Sequence, residues 1–374
     1  MSAAKAANLP PAPRTEGIKY AGSKLKLLPH ILRLVKQTGA KTVFDGFCGT
    51  TRVSQALAKS GCHVFANDIA VWSEVFAECY LRAQQPPEYY RPLFAELNAA
   101  PPVDGWFTEH YGGEANGGCA AGADGLKKPW QKHNTRKLDG VRIAIEKLSL
   151  NKTDKAVALA GLMLALDKVD STLGHFASYL REWPPRAYKP LALKPPQTFN
   201  CGGRHKIFCG DVFAALPKAR ADLAYYDPPY GSCNEKMPPS RVRYAAYYHI
   251  WKTVCLFDSP QTFGKAKRRA DTSDTACASP FEEFRKDGGG RYIAARALEK
   301  LIGETRARWI LLSYSSGGRA TAEELREILK RAGRLREAVE IDYKMNVMAG
   351  MKWTDEWSRN AAKPNREFLF LIEK

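Results

Sequence analysis

The chain has 374 residues, which at about 150 per domain allows two domains or one large domain carrying an insertion. Hydrophobic residues make up 45 % and aromatics 11 %, so a sizeable core can form and wholesale disorder is excluded. Lys and Arg total 57 against 39 Asp and Glu, a formal charge of +18, the balance of a protein that meets a polyanion. In chain order, the first predicted element is a helix from about Leu25 to Val35. Leu25, Leu28, Ile31, Leu32 and Val35 share one of its faces, and Ser23 is placed to cap it. Thr42 to Phe47 reads as a buried strand, Gly49-Thr50-Thr51 as a turn, and Val53 to Lys59 as a helix stopped by Gly61. Cys62 to Ala66 is a second strand, ending at Asn67-Asp68. Strand, small-residue turn, helix, strand and acid together make a right-handed βαβ unit of the nucleotide-binding sort.

From about Val75 to Arg204 the pattern changes. Pro101-Pro102, Gly112-Gly113, Gly117-Gly118 and Trp183-Pro184-Pro185 punctuate two helical patterns, about Arg136 to Leu148 and Lys155 to Lys168. No strand alternates with helix here, so the stretch reads as an insertion with its own small fold. Alternation resumes with a strand at Lys206 to Cys209, followed by Gly210-Asp211, and another at Ala221 to Tyr226, followed by Asp227-Pro228-Pro229-Tyr230. A helical stretch near Tyr247 to Leu256 precedes a polar, basic segment from Asp258 to Gly290, expected to be a mobile loop. Arg308–Ser313, Ala338–Tyr343 and Glu367–Ile372 are strands, and Ala322–Ala332 is a helix. No apolar run approaches the roughly 18 residues of a membrane span, and Met1 to Arg14 lacks the apolar core of a signal peptide. The nine cysteines are scattered, with no Cys-x-x-Cys pair, so neither a metal site nor a disulfide framework is indicated. Cys48, Cys62, Cys209 and Cys255 lie in apolar runs and read as reduced core residues, which fits a cytoplasmic location.

Asp227-Pro228-Pro229-Tyr230 carries the most chemistry. Adjacent prolines stiffen the chain as it leaves a strand and donate no backbone hydrogen bond, which fixes the Pro228 carbonyl. Beside it the Asp227 carboxylate is a second acceptor, so the pair suits an amino group with two N–H donors. Tyr230 supplies a ring able to stack on a planar base. Gly49 lets a ligand approach the backbone at a strand's carboxyl end. Asp45 is placed for an ammonium group and Asp68 for ribose hydroxyls. The absence of a Gly-x-x-x-x-Gly-Lys-Ser/Thr loop argues against an ATPase.

These motifs, in this order, resemble the alpha group of S-adenosylmethionine-dependent N6-adenine DNA methyltransferases, the class of the Dam and DpnII methylases. Lys19 to Lys24 is similar to the family's N-terminal cofactor motif, and Asp45 to Ser54 to its Phe-x-Gly-x-Gly motif, with Thr51 in place of the final glycine. Asn67-Asp68 and Gly210-Asp211 resemble its acidic motifs, Asp227 to Tyr230 its catalytic tetrapeptide, Tyr248 to Thr253 the helix after it, and Arg366 to Phe370 its closing strand. The resemblance implies a Rossmann-like, doubly wound, mostly parallel sheet with a reversed last strand, interrupted by a mainly helical target-recognition domain. The expected division is residues 1–74 and 205–374 for the catalytic domain and 75–204 for the insertion. The insertion departs from the Dam recognition domain and looks more like a subgroup with Asp167 to Thr172 and Phe176, so no target sequence carries over.

The implied activity is methyl transfer from S-adenosylmethionine to N6 of an adenine flipped out of double-stranded DNA, with a restriction endonuclease as a possible partner and a monomer as the default state. Asp227, Pro228, Pro229 and Tyr230 would form the catalytic motif. Tyr20, Lys24, Asp45, Phe47, Gly49, Asp68 and Asp211 would hold the cofactor, with Lys24 equally able to face DNA phosphate. Lys265, Lys267, Arg268 and Arg269 read as phosphate contacts or as a solvated charge run. Arg136, Lys137 and Arg142 share a helical pattern that could face a groove, while Asp170, Thr172 and His175 fit capping or core hydrogen bonding at least as well as DNA contact. N4-cytosine or RNA adenine methylation, or a catalytically inactive DNA-binding protein on the same fold, are the alternatives.

Overall fold

The structure, a computed structural model, describes residues 9–115, 119–231, 243–273, 279–343 and 365–374. Gly117-Gly118, residues 1–8 and part of the basic segment (274–278) lie outside them. A seven-stranded sheet organises the chain: β1 (Thr42–Asp45), β2 (His63–Asp68), β3 (Lys206–Cys209), β4 (Leu223–Tyr226), β5 (Trp309–Ser315), β6 (Arg334–Tyr343) and β7 (Asn365–Glu373), in spatial order β6-β7-β5-β4-β1-β2-β3. Strands β3, β2, β1, β4 and β5 pair in parallel, and β7 slots antiparallel between β5 and β6. The sheet is therefore mostly parallel with a reversed last strand, as expected.

Period-2 alternation puts successive side chains of each strand into different cores. Val43, Val64, Leu223, Tyr225, Leu311 and Leu369 pack with α1 (Leu28–Thr38) and α2 (Arg52–Lys59) on one face. Phe44, Phe65, Ala224, Tyr226, Leu312 and Phe370 pack on the other face with helices Ile293–Glu304 and Ala322–Ala332. Both faces are covered, which is why the strands read as near-continuous apolar runs. Helix α1 starts three residues later than expected: Leu27 occupies its N-cap with no side-chain cap bond, so Ser23 is not its cap. Cys209 is exposed, because β3 is the sheet's edge, whereas Cys48 and Cys255 are buried as expected.

Between β2 and β3 lie α3 (Val71–Arg82), α4 (Arg91–Ala99), α5 (Trp106–Tyr111), α6 (Lys132–Lys147) and α7 (Lys152–Lys168). The first three were not anticipated. Helix α3 runs through position 74/75, so no structural break occurs there. From Ala156 to Leu166 every residue of α7 is buried, and the helix has no polar face. It is enclosed: Trp72, Phe76, Cys79 and Tyr80 of α3 and Ile250, Trp251 and Val254 of a later helix join it in one apolar cluster. Gly161 permits this, since a Cβ there would sit 2.3 Å from the Phe94 ring. The helical region is thus continuous in packing with the sheet's own crossover helix.

Candidate active site

The chain order reverses between β1 and β4, the position at which sheets of this kind take up ligands, and the loops leaving the carboxyl ends of the strands meet there. Asp227 leaves β4 at this point. Its Oδ1 accepts the Lys24 ammonium at 3.0 Å and also the Tyr230 hydroxyl. Lys24 is 5 % exposed, donates to the Gly22 carbonyl at 2.9 Å and lies over the Tyr230 ring, which is also tilted against Tyr314. Lys24 therefore belongs to the Asp227 cluster. Burial raises the Asp227 carboxyl above the ordinary carboxylate range, and Lys24 and Tyr230 pull it back down. Pro228 is buried behind the acid and Tyr230 is half-buried.

The turn after β1 is the next wall. Gly49 adopts φ +48°, which favours glycine, and a Cβ there would lie 3.3 Å from the Tyr20 hydroxyl. The Gly49 N–H donates to Asp68 Oδ2 at 2.8 Å, and the Ala70 N–H to Asp68 Oδ1 at 2.9 Å. Two turns are thereby tied to one acid, whose pKa burial raises while these amides lower it. Asn67 ties in a third turn, donating to the carbonyls of Gly46 at 3.1 Å and Gly210 at 3.3 Å. Asp211 is exposed and caps the short helix α8 (Val212–Ala215), accepting the Phe213 N–H at 2.8 Å. Phe47 sits edge-on to Tyr226 and Phe281. Asp45 departs from expectation. It has no exposed area, and its Oδ2 accepts the Ser54 hydroxyl at 2.6 Å. Burial pushes its pKa to about 7. It supports the turn from beneath and presents no surface to a ligand ammonium.

Tyr20 lies against the Gly49 turn. Its ring stacks on Tyr248 at 4.8 Å and meets Trp72 and Tyr244. Ala21 N–H donates to the Tyr248 hydroxyl at 2.7 Å, and the Tyr244 hydroxyl donates to the Ala21 carbonyl at 3.1 Å. Tyr244 opens helix α9 (Tyr244–Tyr247), and Tyr248 is the turn between it and helix α10 (His249–Leu256). Behind Tyr20, the Lys19 N–H donates to Asp167 Oδ2 at 3.0 Å and its ammonium pairs with buried Asp170. Arg186 also holds Asp170, at 3.0 Å. The Asp167 to Thr172 motif is thus an internal ion-pair network that anchors the Tyr20 loop to the helical region. Two groups went unrecognised. Glu367, at the start of β7, lies 4.0 Å from the Lys24 ammonium, and its signal was a carboxylate heading an apolar strand. Ile69 follows Asp68 and is 75 % exposed, an apolar side chain facing solvent at the strand tip.

The basic segment is a hairpin rather than a featureless loop. Thr262–Phe263 pairs with Arg268–Arg269, and the hydroxyls of Tyr111 and Tyr179 hold the carbonyls of Lys267 and Ala266, each at 2.8 Å. Lys265 is exposed, and Arg268 stacks on half-exposed Phe263 at 4.7 Å. Arg269 corrects the expectation: it is 4 % exposed and donates to both Asp258 oxygens at 2.7 Å and to Asp271 at 3.1 Å. A guanidinium so neutralised is a brace, not a phosphate contact. On α6, Arg136 pairs with Asp104 at 3.0 Å, Lys137 donates to the carbonyls of Asn98 and Ala100, and Arg142 is fully buried beside Glu146 and Phe257. Arg142 and Lys137 are structural. Among the described residues no cluster of His, Cys, Asp and Glu is placed to hold a metal ion, and no helix is long and apolar enough to cross a membrane.

Comparison with known proteins identifies the family. The family described as D12 class N6 adenine-specific DNA methyltransferase matches residues 20–276. The type II methyltransferase M.NlaIII of Neisseria lactamica is 26 % identical, covering 96 % of this chain and 99 % of its own length. The type II methyltransferase M.FokI of Planomicrobium okeanokoites is 24 % identical over 96 % of this chain, and the modification methylase StsI of Streptococcus sanguinis is 27 % identical over 84 %. The matches cover 53 % and 46 % of those two longer relatives.

Proposed function

Because the chain belongs to the D12 class N6 adenine-specific DNA methyltransferases, we propose that Asp227 and the Pro228 carbonyl receive the target adenine's amino group and that S-adenosylmethionine is the methyl donor. The observation that carries this reading is the Asp227 carboxylate at the end of β4, mostly buried at the sheet's switch point and charge-paired with Lys24. Attack by the amino nitrogen on a sulfonium methyl requires its lone pair to leave conjugation with the ring. Two fixed acceptors on its hydrogens favour the positive charge that develops. An adenine inside a duplex cannot reach a mostly buried acid, so the base must flip out, at a cost of a few kcal/mol. Tyr230, its hydroxyl tied to Asp227, offers its ring to the incoming base.

The donor set suits a nucleoside cofactor. Asp68, held in place by backbone amides, is suited to accept from ribose hydroxyls, and exposed Ile69 offers an apolar plate for a purine. Asp211, half-used as a cap, can take a further donor. Tyr20, Phe47 and Gly49 enclose the remainder. When bound, the cofactor supplies an activated methyl group, and these residues hold and orient it. All the named groups come from one chain, so a monomer suffices. The helical region between β2 and β3 is proposed to carry target recognition. The names of the relatives support a place in a restriction-modification system, with an endonuclease as partner and the cytoplasm as location.

Methylation of duplex DNA with labelled cofactor, followed by nucleoside digestion, tests the reading. The label is expected in N6-methyladenine; label in N4-methylcytosine, or preferential labelling of RNA, would sink it. The hairpin gives a separate expectation. Lys265→Ala and Lys267→Ala should each weaken DNA binding uniformly across sequences and lower the slope of log K against log salt by about 1. Titrations at several salt concentrations check this, and an unchanged slope removes the hairpin from the interface.

A further inference from the structure

Strand β7 runs against its neighbours, so its first residues lie at the same sheet edge as the carboxyl ends of β4 and β5. Glu367 stands there, opposite Ser315 in the ladder and 8 % exposed. The residues that follow it, Phe368 to Ile372, are all buried and apolar. Packing alone gives no reason for a carboxylate at the head of this run, because burying one is costly unless a charge compensates it. The compensating charge is Lys24, whose ammonium is 4.0 Å from Glu367 Oε2 and 3.0 Å from Asp227 Oδ1. One buried cation therefore lies within 4.0 Å of two buried carboxylates.

We propose that Glu367 is a positioning residue for methyl transfer: its carboxylate shares the Lys24 ammonium with Asp227, so that Lys24 holds Asp227 in place without neutralising it as an acceptor. The role rests on the reading of Asp227 given above. An ammonium bound to a single carboxylate competes for the lone pairs that the target amino group needs. A second carboxylate within 4.0 Å of it shares that charge. The groups facing Glu367 are Lys24 from the segment before α1, Asp227, Tyr230 and Tyr225 from β4 and its end, Ser315 on β5, and Tyr244 on α9. Burial keeps the three tyrosines well above their ordinary pKa, so they stay neutral at working pH. Among the described residues, Lys24, Asp227 and Glu367 are the groups of this cluster whose ionisation matters; burial raises both carboxyls and Lys24 lowers them.

Glu367→Gln is nearly isosteric and retains hydrogen-bonding capacity toward Ser315, while removing the charge. It is expected to lower kcat on the order of tenfold, with KM for DNA and cofactor within about twofold of wild type. The acid limb of kcat should move to lower pH, because Asp227 loses a negative neighbour and keeps Lys24 to itself. Glu367→Asp keeps the charge but draws it back, and should give an intermediate kcat and an intermediate limb. Unchanged kcat and limb in Glu367→Gln, beside an active wild type, would overturn the proposal. A loss of kcat with no movement of the limb would also overturn it, since that marks a merely structural role. Should the glutamine variant not fold, Glu367→Asp carries the test, and wild-type behaviour of that variant refutes the role. A wild type that does not methylate adenine, or an active Asp227→Ala, would instead strike the reading of Asp227.

Discussion

Asp227→Ala is expected to lower kcat by about 10³-fold, at least as much as the loss of one group aimed at a developing charge, while DNA binding stays close to wild type. The alanine removes an acceptor and a negative charge at the point where the amino nitrogen becomes positive. It removes nothing from the basic hairpin at Lys265 and Lys267, and nothing from the turns held by Asp68. Folding should survive. Lys24 keeps the Gly22 carbonyl at 2.9 Å and the Glu367 carboxylate at 4.0 Å, so its ammonium is not left alone. The stability loss should fall below the ~3–5 kcal/mol typical of an orphaned buried charge. Single-turnover methylation, gel-shift binding and thermal melts on one preparation separate the three effects. Retained turnover would contradict the role of Asp227. Loss of DNA binding in step with turnover would place the residue in binding rather than chemistry.

Lys24→Gln is expected to lower kcat on the order of 10²-fold near neutral pH and to move the acid limb of kcat upward. The sign follows from the site. Burial raises the Asp227 pKa, and Lys24 is the largest influence lowering it. Without the ammonium, Asp227 and Glu367 face each other across a buried gap, and each raises the other's affinity for a proton. Activity needs the Asp227 carboxylate, so it is lost as pH falls through a pKa that now lies higher, and part of it returns on raising the pH. A kcat–pH profile of wild type and variant measures this directly. The direction is opposite to that expected for Glu367→Gln, so the two variants together identify Lys24 as the shared cation. A limb that stays in place in Lys24→Gln would show that Lys24 does not govern the ionisation of Asp227.

Much of the parallel sheet was legible in the sequence because its strands are short apolar runs, each followed by an informative residue. Thr42 to Asp45, His63 to Asp68, Lys206 to Cys209 and Leu223 to Tyr226 all emerge within a residue or two of their expected bounds. Helix α7 was legible by length and composition. Helix α3 was not, since Glu74 and Glu78 interrupt a face whose partners are remote in sequence, and Lys152 and Thr153 of α7 supply their counter-groups. The acids at the strand tips could be named from sequence, but their depths could not. Asp45 and Asp68 occupy equivalent places in the pattern, yet one is sealed beneath a turn and the other stands at the strand tip. Charge runs were the least legible feature. Of Lys265, Lys267, Arg268 and Arg269, the last is buried because Asp258 and Asp271 fold back upon it, a contact no local pattern encodes. Glu367 escaped notice because strand reversal, not sequence proximity, brings it to Lys24.

The central claim is that this chain methylates adenine in duplex DNA through Asp227. Its most direct test is single-molecule sequencing, with modified-base detection, of plasmid DNA from cells expressing the wild-type protein beside cells expressing Asp227→Ala. N6-methyladenine is expected at one short motif in the wild-type sample and none in the variant. Unmodified plasmid in both samples, or the same modification in both, would contradict it.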